Sequence, residues 1–244
     1  MTLLTRGGIL IFSFAYNVIL SRSLGAQGTG VVGALSTWVM TAAQIGNLGL
    51  GTAAVYYIGL DRDRARKIAD TLLTSGILIS LLLFAVFLGI GWVAPKAIGK
   101  IDISLYLIAL FGIVPYLLNT FFQNLLLAQQ KIKEFNFIEL SMRILAVAAI
   151  AGIAFIVDKP YRVTAVVWLT VFYAGFLALS NGIASARSLP VRLGFYWKEF
   201  VDMINGFVPQ ILNKGMTSGD KLNYLTAINI IKIANGMAGI GFST

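Results

Sequence analysis

Arg22-Ser23-Leu24-Gly25-Ala26-Gln27-Gly28-Thr29-Gly30 stands between two long apolar runs, and Asn47-Leu48-Gly49-Leu50-Gly51 echoes it inside the second run. A chain leaving a bilayer-spanning helix must reverse within few residues, and glycine takes the positive φ angles that tight reversals require. The same residue type lets two helices approach closely. Both stretches therefore read as joints of a helical hairpin in lipid, with Gly25, Gly28, Gly30, Gly49 and Gly51 as the shaping residues.

Composition agrees. With 58% hydrophobic and 12% charged residues and a mean hydropathy of +0.84, the chain has more apolar surface than a water-soluble core of 244 residues can hide. Lipid has to be its solvent. A bilayer core about 30 Å thick needs roughly 20 apolar helical residues per crossing. Six runs of that order occur, at 3–21, 31–60, 72–93, 103–127, 138–157 and 163–183. The second is too long for one simple crossing and is either tilted or interrupted at a glycine. None alternates polar and apolar residues as the strands of a lipid-facing barrel would, so helices must satisfy the backbone. The fold class is all-α, a polytopic membrane protein. A six-helix lobe is expected over 1–186, a basic connector over 187–200, and the start of a second lobe, a partial seventh segment, over 201–244. Arg6 ahead of the first run imitates a signal peptide, but five further spans behind it favour a retained transmembrane helix.

Lysines and arginines give the orientation. With the N-terminus in the cytoplasm, the inside segments carry Arg6, then Arg62, Arg64, Arg66 and Lys67, then Lys131, Lys133 and Arg143, then Arg187, Arg192 and Lys198. The outside turns carry Arg22, Lys96, Lys100, Lys159 and Arg162. Eleven against five is a usable bias under the positive-inside rule. The net charge of +9 then belongs to short loops facing membrane lipids, the inner leaflet above all. No basic surface interleaved with aromatic residues is available for a nucleic acid.

Cysteine and histidine are both absent. Disulfide frameworks, thiol nucleophiles, imidazole bases and the usual zinc clusters are excluded with them. The glycine cluster 25–30 lacks the lysine of a phosphate loop and follows a transmembrane helix, not a strand. Asp61-Arg62-Asp63 has the D-x-D spacing by which glycosyltransferases hold a metal and a sugar nucleotide. Flanked by Arg64, Arg66 and Lys67, it reads better as a solvated, self-neutralising loop. No cofactor, metal or enzymatic activity is expected.

Polar residues inside the spans fall into stripes. Arg6, Ser13, Asn17 and Ser21 share one face of the first helix; Thr37, Thr41 and Gln44 do so on the second, and Tyr116, Asn119, Thr120 and Gln123 on the fourth. Such stripes face other helices, through interhelical hydrogen bonds, or a wet lumen. No carboxylate lies deep in a run, while Arg22 and Arg143 border apolar helix, so charge in a lumen would be cationic. Arg143 can also snorkel to the inner interface or pair with Glu139 one turn earlier.

The segment 19–30 followed by Asn47-Leu48-Gly49-Leu50-Gly51-Thr52-Ala53 resembles the opening of the polysaccharide flippases, the O-antigen and teichoic-acid type exporters of the multidrug/oligosaccharidyl-lipid/polysaccharide superfamily. The resemblance extends through six spans and the basic connector. Asp220-Lys221, the apolar run 222–238 and Gly241-Phe242-Ser243 look like the opening of that family's second lobe, with a departure in the polar stretch 213–223. What the resemblance implies is translocation of a polyprenyl-diphosphate-linked oligosaccharide across the cytoplasmic membrane for polysaccharide biosynthesis. It implies two lobes rocking about a central cavity; the sequence here supplies one lobe and a little more, to be completed by a second lobe or another copy of the chain. Arg22, Asn17, Asn47 and Arg143 are the expected substrate-binding residues, the arginines for diphosphate and the asparagines for sugar hydroxyls. A drug or cation exporter of the related multidrug family, and a non-transporting membrane interaction protein, are the alternatives.

Overall fold

A computed structural model describes residues 2–94, 99 and 101–207. The expected seventh segment, with Asp220-Lys221 and the runs around it, lies outside the described residues, as do Lys96 and Lys100. All regular structure among the described residues is helical: α1 (Thr2–Asn47), α2 (Leu50–Leu60), α3 (Ala65–Val93), α4 (Ile103–Leu110), α5 (Ile113–Ala128), α6 (Ile132–Ile156), α7 (Arg162–Ala186), preceded by a 3-10 turn at Lys159–Tyr161, and α8 (Trp197–Phe207).

The 46 residues of α1 are two helices joined at Gly25, whose φ of 69° and ψ of −178° lie in a region closed to residues with a Cβ. Each arm, 2–24 and 26–47, is long enough at about 1.5 Å per residue to cross a ~30 Å hydrocarbon core once. Leu20 of the first arm and Val32 of the second enter the same core cluster, so the arms fold together at the break.

The long run 31–60 is interrupted where the second glycine pair stands. Leu48 (φ 44°) and Gly49 (φ 73°) take left-handed backbone angles, ending α1 and starting α2. The run 103–127 also divides, into α4 and α5. Pro115 accounts for this: it has no N–H to give the carbonyl of Phe111, and its ring crowds that carbonyl. The chain instead makes the tighter bonds Phe111 N to Ile108 O (3.2 Å) and Gly112 N to Ala109 O (2.8 Å). Elsewhere the helices outrun the apolar segments. α3 begins at Ala65 and α6 at Ile132, each six or seven residues before its run, since polar first turns are free to stand in the interface.

Two apolar clusters hold the bundle. One joins Leu35, Phe87, Tyr106, Ile113, Ile150 and Val166, and the Tyr106 hydroxyl donates to the Phe87 carbonyl at 2.7 Å. The other joins Leu50, Ile68, Leu72, Leu117, Phe121 and Met203. Outside them, large apolar side chains such as Phe14, Leu82, Phe155 and Leu179 are exposed. A surface of this kind requires hydrocarbon around it. Together with long apolar helices at Ala65–Val93, Ile103–Ala128, Ile132–Ile156 and Lys159–Ala186 beside the broken α1, it makes the chain a polytopic membrane protein.

The loops sort to two ends. At one end Lys131 Nζ donates to Ala184 O (2.8 Å) and Gln129 Nε2 to Ser185 Oγ (2.9 Å), tying the α5–α6 turn to the end of α7. The connector 187–196 folds back at that same end onto the first turns of α3. Asp70 accepts from Arg192 N (2.6 Å), Thr74 pairs with both backbone groups of Gly194, and Thr71 accepts from Tyr196 N (3.1 Å). Arg64 then grips α8, through Glu199 and through Asp202 at 2.6 Å. Hydrogen bonds donated to these two carboxylates hold the Arg64 guanidinium above its ordinary pKa.

Candidate functional site

The break at Gly25 and the packing of α5, α6 and α7 leave a cavity of about 500 Å³ whose wall is shared by both arms of α1 and those three helices. Tyr16, Asn17 and Thr29 reach it from α1, Tyr116 and Asn119 from α5, Arg143 from α6, and Thr170 and Tyr173 from α7. Val32, Val39, Leu169 and Leu177 supply apolar wall between them.

Arg143 is the cation of this site. Because α6 starts at Ile132, it stands near the middle of a 25-residue helix and not at its border. An arginine at the centre of a membrane helix costs about 2.5–3.5 kcal/mol on insertion scales. Its guanidinium lies over the Tyr173 ring, 5.8 Å from the centroid, a contact worth up to about 2 kcal/mol when desolvated. It forms no ion pair with Glu139, the ion pairs among the described residues being those of Arg64 and Lys131. Arg143 Nε, the Tyr173 hydroxyl and Thr29 Oγ1 are buried without hydrogen-bond partners. Three unpartnered groups, all on cavity-lining residues, constitute donor capacity that the described residues do not satisfy.

Asn119 is held rigidly at the cavity edge: its Oδ1 accepts from Asn181 Nδ2 at 2.8 Å, linking α5 to α7. Asn17 Nδ2 donates to Ser13 O at 3.0 Å, leaving its Oδ1 toward other partners. Thr170 bonds back to Val166 O (2.9 Å).

Of the four residues expected to bind substrate, the structure brings Asn17 and Arg143 together in this cavity. Arg22 does not join them. It is five residues beyond Asn17 on another face of the helix, and lines a separate groove with Arg162. Asn47 lies outside the cavity lining, its Oδ1 accepting from Gly51 N at 3.4 Å across the α1–α2 joint. Among the joint glycines, a Cβ on Gly51 would meet Asn124 Nδ2 at 2.3 Å, and one on Gly28 would meet Leu24 Cβ at 2.9 Å and Val163 Cγ2 at 3.1 Å. Gly30 has open space in that direction. Asp61, from the D-x-D, closes α2 by accepting from Asp63 N at 3.0 Å.

Tyr16 and Tyr173 were not singled out from the sequence. Their signal was available: tyrosines in membrane proteins concentrate in the interfacial belts, whereas these two sit well inside spans. Of the second stripe, Thr37, Thr41 and Gln44 are exposed outside the cavity, and Ser36 lines it instead.

No curated protein and no solved structure matches the chain. A family model described as polysaccharide biosynthesis protein matches residues 1–218, a span that takes in the hairpin joints, every cavity-lining residue and the connector; the chain belongs to that family.

Proposed function

We propose that this chain moves a polyprenyl-diphosphate-linked oligosaccharide across the cytoplasmic membrane, with the helices of 1–186 forming one wall of the path and no covalent chemistry performed. The observation that carries the reading is Arg143: a guanidinium at the middle of a membrane helix that, among the described residues, pairs with no carboxylate and has an unpartnered Nε beside tyrosines and asparagines. A planar cationic fork suits a diphosphate. Tyrosine faces and asparagine amides suit sugar rings and their hydroxyls. A cation exporter calls for the opposite charge in the cavity.

In this proposal the N-terminus and the connector face the cytoplasm, following the lysine and arginine bias. The connector joins 1–186 to a second lobe that opens within 201–244. The exposed polar stripe Thr37, Thr41 and Gln44 would be costly against lipid, and faces that second lobe or another copy of the chain across a wet lumen.

The test is export of the lipid-linked glycan in cells that depend on the full-length protein. Arg143→Gln is expected to lower export at least tenfold at unchanged membrane abundance, and Arg143→Lys to recover only part of it, since lysine keeps the charge and loses the fork. Undiminished export in both variants overturns the role.

A further inference from the structure

At the end of α7 opposite the connector, Arg22 and Arg162 line a second groove of about 450 Å³, floored by Ile19, Ala151, Ala154 and Phe155. Arg162 donates Nε to Val157 O (2.9 Å) and one terminal nitrogen to Ser23 O (3.4 Å), both neutral backbone groups. Arg22 is exposed and has no hydrogen-bond or ion-pair partner among the described residues. Asp158 is four residues from Arg162, yet among the described residues no carboxylate lies within 4.0 Å of either guanidinium. Two full positive charges thus share one groove with no counter-anion among the described residues.

The groove opens sideways. Phe155 on its floor is 89% exposed, and the next residue, Ile156, 84%. A cationic rim over an apolar slot that faces hydrocarbon has the chemistry of an anionic amphiphile: phosphate against the arginines, chains along the slot. A free inorganic anion would leave the slot empty.

We propose that Arg22 and Arg162 bind the phosphate head group of an anionic glycerophospholipid, whose acyl chains lie against Phe155, Ala151 and Ala154. The lipid bridges the end of the first arm of α1 to the α6–α7 turn, three residues from the break at Gly25. This holds whether or not the Arg143 cavity carries a lipid-linked glycan.

The test uses the full-length chain purified in a zwitterionic detergent. Dioleoyl phosphatidylglycerol, dioleoyl phosphatidylcholine and undecaprenyl diphosphate are titrated separately, with bound lipid read by native mass spectrometry. Phosphatidylglycerol is expected to bind at least tenfold more tightly than phosphatidylcholine. Arg22→Gln should weaken it about tenfold, the size of one lost charge-assisted contact. Because Arg22 is exposed and makes no hydrogen bond or ion pair among the described residues, this variant is expected to fold as the parent does; Arg22→Gln/Arg162→Gln should abolish the preference. Lys159→Gln, at the same membrane face but outside the groove, should leave it unchanged. Equal binding of phosphatidylcholine, unchanged binding by Arg22→Gln, or an equal loss in Lys159→Gln overturns the proposal. Retention of undecaprenyl diphosphate but not phosphatidylglycerol overturns it too, and makes the groove part of the cargo path.

Discussion

Replacing Arg64 by alanine should loosen the docking of α8 and of the connector that leads into it. Arg64 is the cation for two carboxylates of α8, and the two differ in exposure: the Glu199 side chain is 8% exposed, Asp202 35% and Arg64 itself 31%. Removing one member of a fully buried pair costs about 3–5 kcal/mol, because the survivor stays charged and unpaired. Here two of the three groups are partly wet, where water and salt screen the interaction, so about 2 kcal/mol is the appropriate magnitude. That is a factor of about 30 in the ratio of docked to undocked connector. Met203, fully buried in the apolar cluster, keeps the change from being larger. Trypsin reports it directly, since Arg187, Arg192 and Lys198 are exposed cleavage sites in the segment that would open, and cleavage tracks the open population when closing is fast. Cleavage in 187–198 should accelerate by up to about thirtyfold. Glu199→Gln placed on Arg64→Ala should restore most of the protection, because a neutral amide needs no cation. The Arg64 contribution is independent of pH through the neutral range. Its folded-state pKa is raised, so the stabilisation is fully present below the free guanidinium's value and is lost only above it. A cleavage rate within twofold of the parent, or no rescue by Glu199→Gln, would refute the reasoning.

Substitutions at three glycines probe the packing that shapes the cavity. Gly25→Ala should lower thermal stability by about 1–3 kcal/mol through backbone strain alone, since a Cβ there meets nothing within 4 Å; Gly30→Ala, also in open space but helical, should be neutral or stabilising by up to about 1 kcal/mol, and equal melting temperatures would refute the distinction. Gly76→Ala places a Cβ 2.6 Å from two ring carbons of the fully buried Phe121; a loss of about 1–3 kcal/mol is expected from overpacking, and Phe121→Leu in the same chain should recover part of it in a detergent melting assay.

Most of the bundle was legible because hydrophobic length is a direct physical requirement of the bilayer. Both glycine joints were readable for a similar reason, positive φ being a local demand that the sequence must meet locally. Helix ends were less legible: apolar runs mark hydrocarbon, while hydrogen bonding carries α3 and α6 further, and this moved Arg143 from the border of a span to its middle. The run around Pro115 is apolar enough to read as one helix, although a proline inside it is a local breaker. The site was half legible. Asn17 and Arg143 converge through tertiary packing that no spacing rule encodes, while Arg22, on the same helix as Asn17, is turned away by helical phase. The tyrosines were overlooked because a hydropathy reading counts them with the greasy residues, although their hydroxyls matter most where water is absent.

The connector and the cavity are physically continuous. Asp70, Thr71 and Thr74, which hold the connector, stand on the same helix as Gly76, and Gly76 is pressed against Phe121 of α5. One turn earlier on α5, Leu117 is fully buried in the same apolar cluster as Phe121, and Tyr116 and Asn119 flank it in the cavity wall. Asn119 is in turn bonded to Asn181 near the end of α7 from which the connector departs. Close-packed interiors transmit displacement because they have little free volume to absorb it. A movement of the connector therefore has a contiguous route to the cavity through α3 and α5, and a second through α7. If that route couples the connector to the proposed transport path, Arg64→Ala should alter export without touching the cavity, whereas Arg143→Gln should lower export at least tenfold and leave connector proteolysis unchanged.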